Sequence, residues 1–167
     1  MNLQNTLIRS EIDDLRKDIS SNLKTTIQIS DMSQPTYYVE NNKFKAFIDN
    51  ENNGYFYLGK KFNNDIKNIQ TDDGFYIFLE LDELSLDSLF LENQLENNTN
   101  LKLIKLKIDK LNLFDNTYLD QYFEINFLAN ETYANFSGKN LNGSMKIDSS
   151  GFIRIDVFDT KFKFKGL

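Results

Sequence analysis

The 167-residue sequence contains no histidine, no cysteine and no tryptophan, and it contains a single proline. Histidine is the commonest general base in enzymes, and cysteine is a strong nucleophile. Together these two residue types supply most protein ligands for zinc, iron and copper. The composition therefore predicts a protein without enzymatic activity, catalytic residues, metal site or cofactor. A chain without cysteine is equally suited to reducing and oxidising compartments, so this absence does not indicate where the protein resides.

Positive charge is also scarce, because 19 Lys and Arg residues face 25 Asp and Glu residues, which gives a formal net charge of −6. Nucleic-acid binding needs a cationic surface, so we expect no nucleic-acid partner. Acidic residues interrupt the start of the chain, where a signal peptide needs a continuous apolar segment. The longest apolar run, Phe75–Leu79, is far shorter than the roughly 18 residues of a membrane-spanning helix. We expect no signal peptide and no transmembrane segment, and the localisation stays open.

Apolar residues near the start of the chain recur at separations of three and four, which is the spacing of one side of a helix. The stripe consists of Ile8, Ile12, Leu15, Ile19 and Leu23. The pattern predicts an amphipathic helix within residues 3–27. Such a helix would either cover the β domain of its own chain or dock on a second copy or another protein.

A polar segment that ends at Pro35 separates this helical period from a period of two. We therefore predict a helical arm and linker over residues 1–34 and a β domain over residues 35–167. The period of two predicts strands at Tyr37–Val39, Lys43–Ile48, Tyr55–Leu58, Phe75–Leu81, Leu101–Leu113, Tyr122–Leu128, Gly143–Ile147, Phe152–Phe158 and Lys161–Lys165. The predicted fold class is α+β, mainly β, with the N-terminal helix followed by an antiparallel β-sandwich or a partly open barrel.

Two segments of this region share an apolar, Asp, charged, Leu, polar, Leu pattern. They are residues 81–86 and 108–113. Glu80 and Glu83, just before and within the first segment, correspond to Lys107 and Lys110, just before and within the second. Opposite charges at matching positions favour strands that lie side by side, and a duplicated hairpin is the alternative explanation of the match. Residues 85–94 fit neither the helical nor the strand period, so they could form a lid, a short helix or a loop.

Alternation is clearest near the end of the chain. Ile153, Ile155 and Val157 fall on one side of the predicted strand, and Arg154 and Asp156 fall on the other. One face of this strand is therefore expected to be apolar and the other charged.

Candidate chemistry is sparse. Residues 49–54 begin like a calcium-binding loop, but Lys60 stands where such a loop needs its final Glu, and a hairpin turn explains the same residues. Carboxylates that could form a hydrolytic pair are present without a motif around them. These are Asp72, Asp73, Glu80, Asp82 and Glu124.

Aromatic residues fall on both faces of two predicted strands. Tyr37 and Tyr38 are neighbours in the sequence, and Tyr55 and Tyr57 flank Phe56. If one face is core, then rings on the other face are exposed and mark a surface for a partner or a ligand. A sheet that is covered on both faces would explain the same pattern.

These observations favour a non-catalytic structural or interaction subunit of a larger assembly, such as a virion, an injection machine or a surface complex. The N-terminal helix would be its docking arm, and the partner would be another protein or a second copy. The alternative is a small β-barrel or sandwich that carries an apolar small molecule. A glycoside hydrolase based on paired carboxylates is the third interpretation.

Overall fold

The computed structural model describes residues 24–30, 33–59, 73–85, 100–113 and 115–160. The regular elements in these ranges are ten strands, and in the strand order they follow one another as they do in the chain. The chain divides within the fifth strand into two compact units, Met1–Glu80 and Leu81–Leu167. The strands are β1 (Thr26–Ser30), β2 (Thr36–Glu40), β3 (Phe44–Ile48), β4 (Gly54–Leu58), β5 (Phe75–Ser85), β6 (Leu101–Leu113), β7 (Asn116–Phe127), β8 (Glu131–Lys139), β9 (Leu141–Asp148) and β10 (Ile153–Thr160).

The prediction of an α+β fold, with a helix before an antiparallel sandwich or partly open barrel, is wrong. No helix is found among the elements that the structure describes, and the strands belong to one ten-stranded sheet. The sheet is also mixed, because β4 and β5 are parallel. The predicted helix was extended too far: Thr26 and Ile27 belong to β1, which pairs with β2. Two β-branched residues, Ile27 and Ile29, alternate with polar residues there and favour a strand.

In the first unit, β1 to β4 form an antiparallel meander, and β5 then adds in parallel to β4. A parallel pair cannot be joined by a tight hairpin, so a longer connection separates these two strands in the chain. Tyr57 and Phe78 face each other across β4 and β5, and each is 1% exposed. Leu58 is buried beside them in the sequence. The core of this unit therefore lies around the β4–β5 pair.

In the second unit, β6 to β10 form a continuous antiparallel meander. Ile108 and Leu111 on β6 are buried, as is Tyr118 on β7. Glu83, near the end of β5, accepts a hydrogen bond from the Lys110 ammonium at 2.8 Å. This contact, with β5 next to β6 in the strand order, confirms the side-by-side arrangement that was predicted from their opposite charges.

Most of the predicted strands are confirmed with small shifts in their bounds, among them β3, β6 and β10. The β8 strand was missed, because Asn135, Ser137 and Gly138 are residues typical of turns. The segment predicted as a strand at Lys161–Lys165 lies outside the described residues, as does most of the ambiguous segment 85–94.

A β-bulge in β7 interrupts the register with β8. Leu119 pairs with Lys139 and Tyr122 pairs with Ser137, so Asp120 and Gln121 together oppose the single residue Gly138. Asp120 has a positive φ of 52°, as a bulge of this kind tolerates. The bulge turns the fully buried Gln121 amide toward the backbone.

Side-chain amides of Gln121 and Asn142 form hydrogen bonds with the backbone around this bulge. Gln121 Nε2 donates to the carbonyl oxygens of Leu119 at 3.0 Å and Lys139 at 3.2 Å. Asn142 Oδ1 accepts from the Gly138 amide at 3.0 Å, and Asn142 Nδ2 donates to the Gly138 carbonyl at 3.2 Å. A Cβ atom at Gly138 would lie 2.3 Å from Gln121 Nε2 and 2.7 Å from the Asp120 carbonyl oxygen. Glycine is therefore required at this position.

We expect Gln121→Leu to lower the free energy of unfolding by about 1–3 kcal/mol, because it removes the part-buried hydrogen bonds to the Leu119 and Lys139 carbonyl groups. Gly138→Ala should cost a comparable amount, about 1–3 kcal/mol, because the new methyl group overlaps the buried Gln121 amide and the Asp120 carbonyl oxygen. Urea denaturation measures both. Ser137→Ala, at an exposed position of the same strand, is the control and should change stability by less than about 0.5 kcal/mol. Unchanged stability in the Gly138 variant would contradict this description of the bulge.

Candidate interaction surfaces

Two hairpin turns have the same backbone design, and each is organised by an aspartate. In the β9–β10 turn, Asp148 Oδ1 accepts hydrogen bonds from the amides of Ser150 at 2.9 Å and Phe152 at 3.1 Å. In the β3–β4 turn, Asp49 Oδ1 accepts from the amides of Glu51 at 2.9 Å and Asn53 at 2.8 Å. An aspartate that bonds its own following backbone is a common way to stabilise a turn.

The remaining bonds of the two turns also match. The amide of each aspartate donates to the carbonyl four residues later, and its carbonyl accepts from the amide three residues later. The residue at that third position has a positive φ in both turns, 63° at Asn52 and 79° at Gly151. The Asp49 carboxylate is therefore engaged in the turn. No group of three or more His, Cys, Asp or Glu side chains suited to a metal ion occurs among the described residues.

The β9–β10 turn delivers β10 to the end of the strand order, where it pairs with β9. On one face of β10 lie Ile153, Ile155 and Val157, which are 54%, 57% and 42% exposed. We call these three residues the β10 apolar row. A row of aliphatic side chains on the last strand of a sheet is unusual, because such edges promote pairing with other chains.

The opposite face of β10 carries a salt bridge between neighbours two residues apart. Arg154 Nε lies 2.9 Å from Asp156 Oδ2, and its Nη2 lies 3.2 Å from Asp156 Oδ1. The Arg154 side chain is 70% exposed and the Asp156 side chain is 43% exposed. Solvent-exposed pairs of this kind contribute little to stability. The two charges therefore remain available to another molecule.

A second exposed apolar surface lies at the start of the strand order. Ile29 pairs with Tyr37, and Tyr37 pairs with Ile48, so the three side chains share one face of β1, β2 and β3. Ile27 lies on the same face, two residues before Ile29. All four are classed as exposed, Ile29 most of all at 56%. We call these four residues the β1–β3 patch.

The structure separates the four tyrosines that were predicted to be exposed. Tyr37 belongs to the β1–β3 patch. Tyr38 and Tyr55 lie on the other face of the sheet and are half-buried, in register with Phe47 between them. Tyr57 is 1% exposed and belongs to the core, so it is not part of any exposed surface. An interaction role for Tyr37, Tyr38 and Tyr55 remains a prediction.

Hydrogen bonds on the Tyr38 face keep its ionisable groups in their ordinary charge states. Glu40 accepts from Lys45 at 2.8 Å and from the Tyr38 hydroxyl at 3.1 Å, and these bonds lower the pKa of the Glu40 carboxyl. Burial raises the pKa of Tyr38, and burial with a hydrogen bond to Asp73 raises that of Tyr76 to about 12. A phenol with such a pKa stays protonated at neutral pH and is a poor general base.

The remaining predicted residues divide into two groups. The stripe Ile8, Ile12, Leu15, Ile19 and Leu23 lies outside the described residues, and so does Asp72. Among the described carboxylates, Glu124 lies 3.6 Å from Lys105 and accepts from the Tyr122 hydroxyl at 3.2 Å. Asp82 is exposed.

In the part of the chain that the structure describes, no helix has the length and apolar character needed to cross a membrane.

Sequence reasoning missed most of the β1–β3 patch. Ile27 and Ile29 were assigned to the end of the helix or left in the linker, although their alternation with Thr26 and Gln28 is the signal for a strand. The β10 apolar row was recognised as one face of a strand. Its exposure could not be read from alternation, because alternation does not say which face is covered.

We expect the Asp148 turn to make folding stability depend on pH. Hydrogen bonds from the Ser150 hydroxyl and the Phe152 amide lower the pKa of the Asp148 carboxyl in the folded protein. Its stabilising contribution should therefore be complete above the unfolded pKa of about 4 and be lost as the pH falls through the lower folded value. Asp148→Asn should reduce the difference in unfolding free energy between pH 7 and pH 3. Asp109→Asn, at an exposed position on β6, controls for the loss of one charge, and an equal reduction there would contradict the role of the turn.

The two environments of the tyrosines give a second prediction. Tyr57→Ala should lower the free energy of unfolding by about 3–5 kcal/mol, because it removes a fully buried ring. Tyr37→Ala, on an exposed face, should cost less than about 0.5 kcal/mol. Urea denaturation of the two variants measures the difference. Equal destabilisation would mean that Tyr37 is covered in the free protein.

Comparison with models of protein families, with curated protein sequences and with solved structures finds no match to this chain. Inference about its role therefore depends on its own residues and their arrangement. The features that stand out are two exposed apolar surfaces on the first and last strands, and carboxylates that are bonded to lysines, tyrosine hydroxyls or turn amides.

Proposed function

We propose that this protein is a non-catalytic structural or interaction protein, which works as a subunit of a larger protein assembly. The observation that carries the proposal is the exposure of aliphatic side chains on β1 and β10, the first and last strands of the order. Proteins that work alone usually protect such edges with charges, bulges or covering segments. Exposed apolar residues that adjoin one another typically mark a protein interface.

The distribution of polar groups supports the same proposal. Asp49 and Asp148 stabilise turns, and Glu40, Glu83 and Glu124 each form an ion pair with a lysine on a neighbouring strand. Hydrogen bonds lower the pKa of the Asp148, Glu40 and Glu83 carboxyls, whereas a catalytic acid needs a raised pKa. These side chains therefore have structural roles that are sufficient to explain them.

The proposal is tested by the size of the protein in extracts of its own cells. A tagged copy should elute from a sizing column well above the 19.6 kDa of one chain. Introducing charge into the β1–β3 patch, with Ile29→Lys and Ile48→Lys together, or into the β10 apolar row, with Ile153→Lys and Val157→Lys together, should shift the protein toward its monomer mass. A charge at the centre of an apolar interface is strongly unfavourable.

Leu128→Lys is the matched control, because Leu128 is 59% exposed but lies in the β7–β8 turn, outside both surfaces. This variant should elute with the wild-type protein. Circular dichroism checks that all variants keep their strands. The proposal would be overturned if the wild-type protein elutes at its monomer mass, or if both double variants keep all their partners.

A further inference from the structure

Only a short part of β10 keeps an uninterrupted register with β9. Its residues from Ile153 to Val157 keep one register with β9, in which Ile153 pairs with Ile147 and Val157 with Gly143. The register then shifts between Val157 and Asp159, which indicates a bulge at Phe158. A bulge bends the strand and interrupts regular pairing, which resumes at Asp159, so the longest regular segment that can accept another strand is residues 153–157.

Two copies of this segment, Ile-Arg-Ile-Asp-Val, match each other when they run in opposite directions. In an antiparallel pair of two copies with Ile155 opposite the same residue of the second copy, Arg154 lies opposite Asp156, and Asp156 lies opposite Arg154. Ile153 and Val157 then lie opposite each other in both halves. Residues that face each other across antiparallel strands share one face of the sheet, so both salt bridges form on one face and all six aliphatic side chains meet on the other.

From this complementarity we propose that the partner of β10 is β10 of a second copy of this chain, paired antiparallel about a two-fold axis at Ile155. The proposal rests on the proposed function and names one of its partners. The contact is isologous, since each copy offers the same five residues, and it closes after two copies. Backbone hydrogen bonds between the strands add to the two charge pairs and the joined apolar rows.

Other registers of the same two strands are disfavoured. A shift of two places in the pairing puts Arg154 opposite Arg154 of the second copy, or Asp156 opposite Asp156. A shift of one place puts charged residues opposite aliphatic ones, since side chains alternate between the faces. A parallel arrangement in register stacks like charges on each other. The central register is therefore the only one of these that satisfies both faces.

The first strand of another copy is a poorer partner. Residues 26–30 of β1 carry no charged side chain, so they offer nothing opposite Arg154 or Asp156. Such a head-to-tail contact would also leave one free edge at each end and would continue into a chain of copies. A second β10 strand, in contrast, offers both an Arg and an Asp. In each copy these two side chains already lie on the same face and within hydrogen-bonding distance of each other.

A single-cysteine experiment tests the register directly, since the natural chain has no cysteine. In the proposed dimer the Cα atoms of residue 155 in the two copies lie about 4.5–5.5 Å apart. This separation is within disulfide range. The purified Ile155→Cys variant should therefore form a disulfide-linked dimer under mild oxidation. Val157→Cys alone should not, because its equivalents are four residues out of register.

A mixture of two single-cysteine variants tests the same register in a second way. Ile153→Cys and Val157→Cys should cross-link with each other when mixed, since these two positions are opposite in the proposed pair. Cross-linking of Val157→Cys with itself, or failure of Ile155→Cys to cross-link at concentrations where the wild-type protein is dimeric by light scattering, would overturn the proposal. A wild-type protein that stays monomeric at millimolar concentration would also overturn it.

Charge reversal tests the two salt bridges. Arg154→Asp alone and Asp156→Arg alone should each weaken dimerisation by at least about tenfold, because each variant places two like-charged pairs in the interface. The exchange of both residues in one chain, or a mixture of the two single variants, should restore the dimer. Lys139→Asp alters the net charge as much as Arg154→Asp but lies on β8, so it should leave the dissociation constant unchanged.

Failure of this proposal can be told apart from failure of the proposed function. If the purified protein is monomeric but still elutes in a large complex from its own cells, then it has other partners and only the self-pairing of β10 is wrong. If it is monomeric in both settings, then both proposals are wrong. A polymer of increasing length on sizing columns would indicate head-to-tail contacts and would overturn the two-fold arrangement.

Discussion

Backbone hydrogen bonding in the sheet is the constraint on which the other features depend. Each strand presents amide and carbonyl groups on two sides, and these groups need partners. Because the strand order follows the chain order, β1 and β10 each have a single neighbouring strand in the sheet. No other strand among the described residues pairs with their outer sides. Aliphatic residues on these two strands are exposed, and their contact with water is costly, which is the basis of the proposed interaction role.

Where the regular pairing of strands is interrupted, nearby side chains form hydrogen bonds with the backbone groups. At the β7 bulge, the Gln121 amide supplies donors to two carbonyl groups, and Asn142 bonds the backbone of Gly138 on both its donor and its acceptor. At the two hairpins, an aspartate performs the corresponding task. Much of the polar chemistry of the described residues is therefore directed at the backbone, which agrees with a structural role.

Some features of the fold could be predicted from the sequence, and others could not. Strands with clean alternation, such as β6 and β10, were predicted with nearly their observed bounds, because alternation is a local property. The side-by-side placement of β5 and β6 was also predicted, from opposite charges in matching segments. The β8 strand and the bulge were not predicted, since glycine and asparagine there serve tertiary contacts. β1 was lost because the helical spacing before it was continued too far.

The sequence by itself determined the alternation of faces, the positions of the aspartate turns and the charge pattern of residues 153–157, because these depend on neighbours within a few residues. Only the tertiary structure decided which faces are covered: Tyr57 is core and Tyr37 is exposed, although both come from aromatic-rich strands. It also decided the parallel pairing of β4 with β5 and the place of β10 at the end of the order. These outcomes depend on contacts between residues distant in the chain, and no local pattern encodes them.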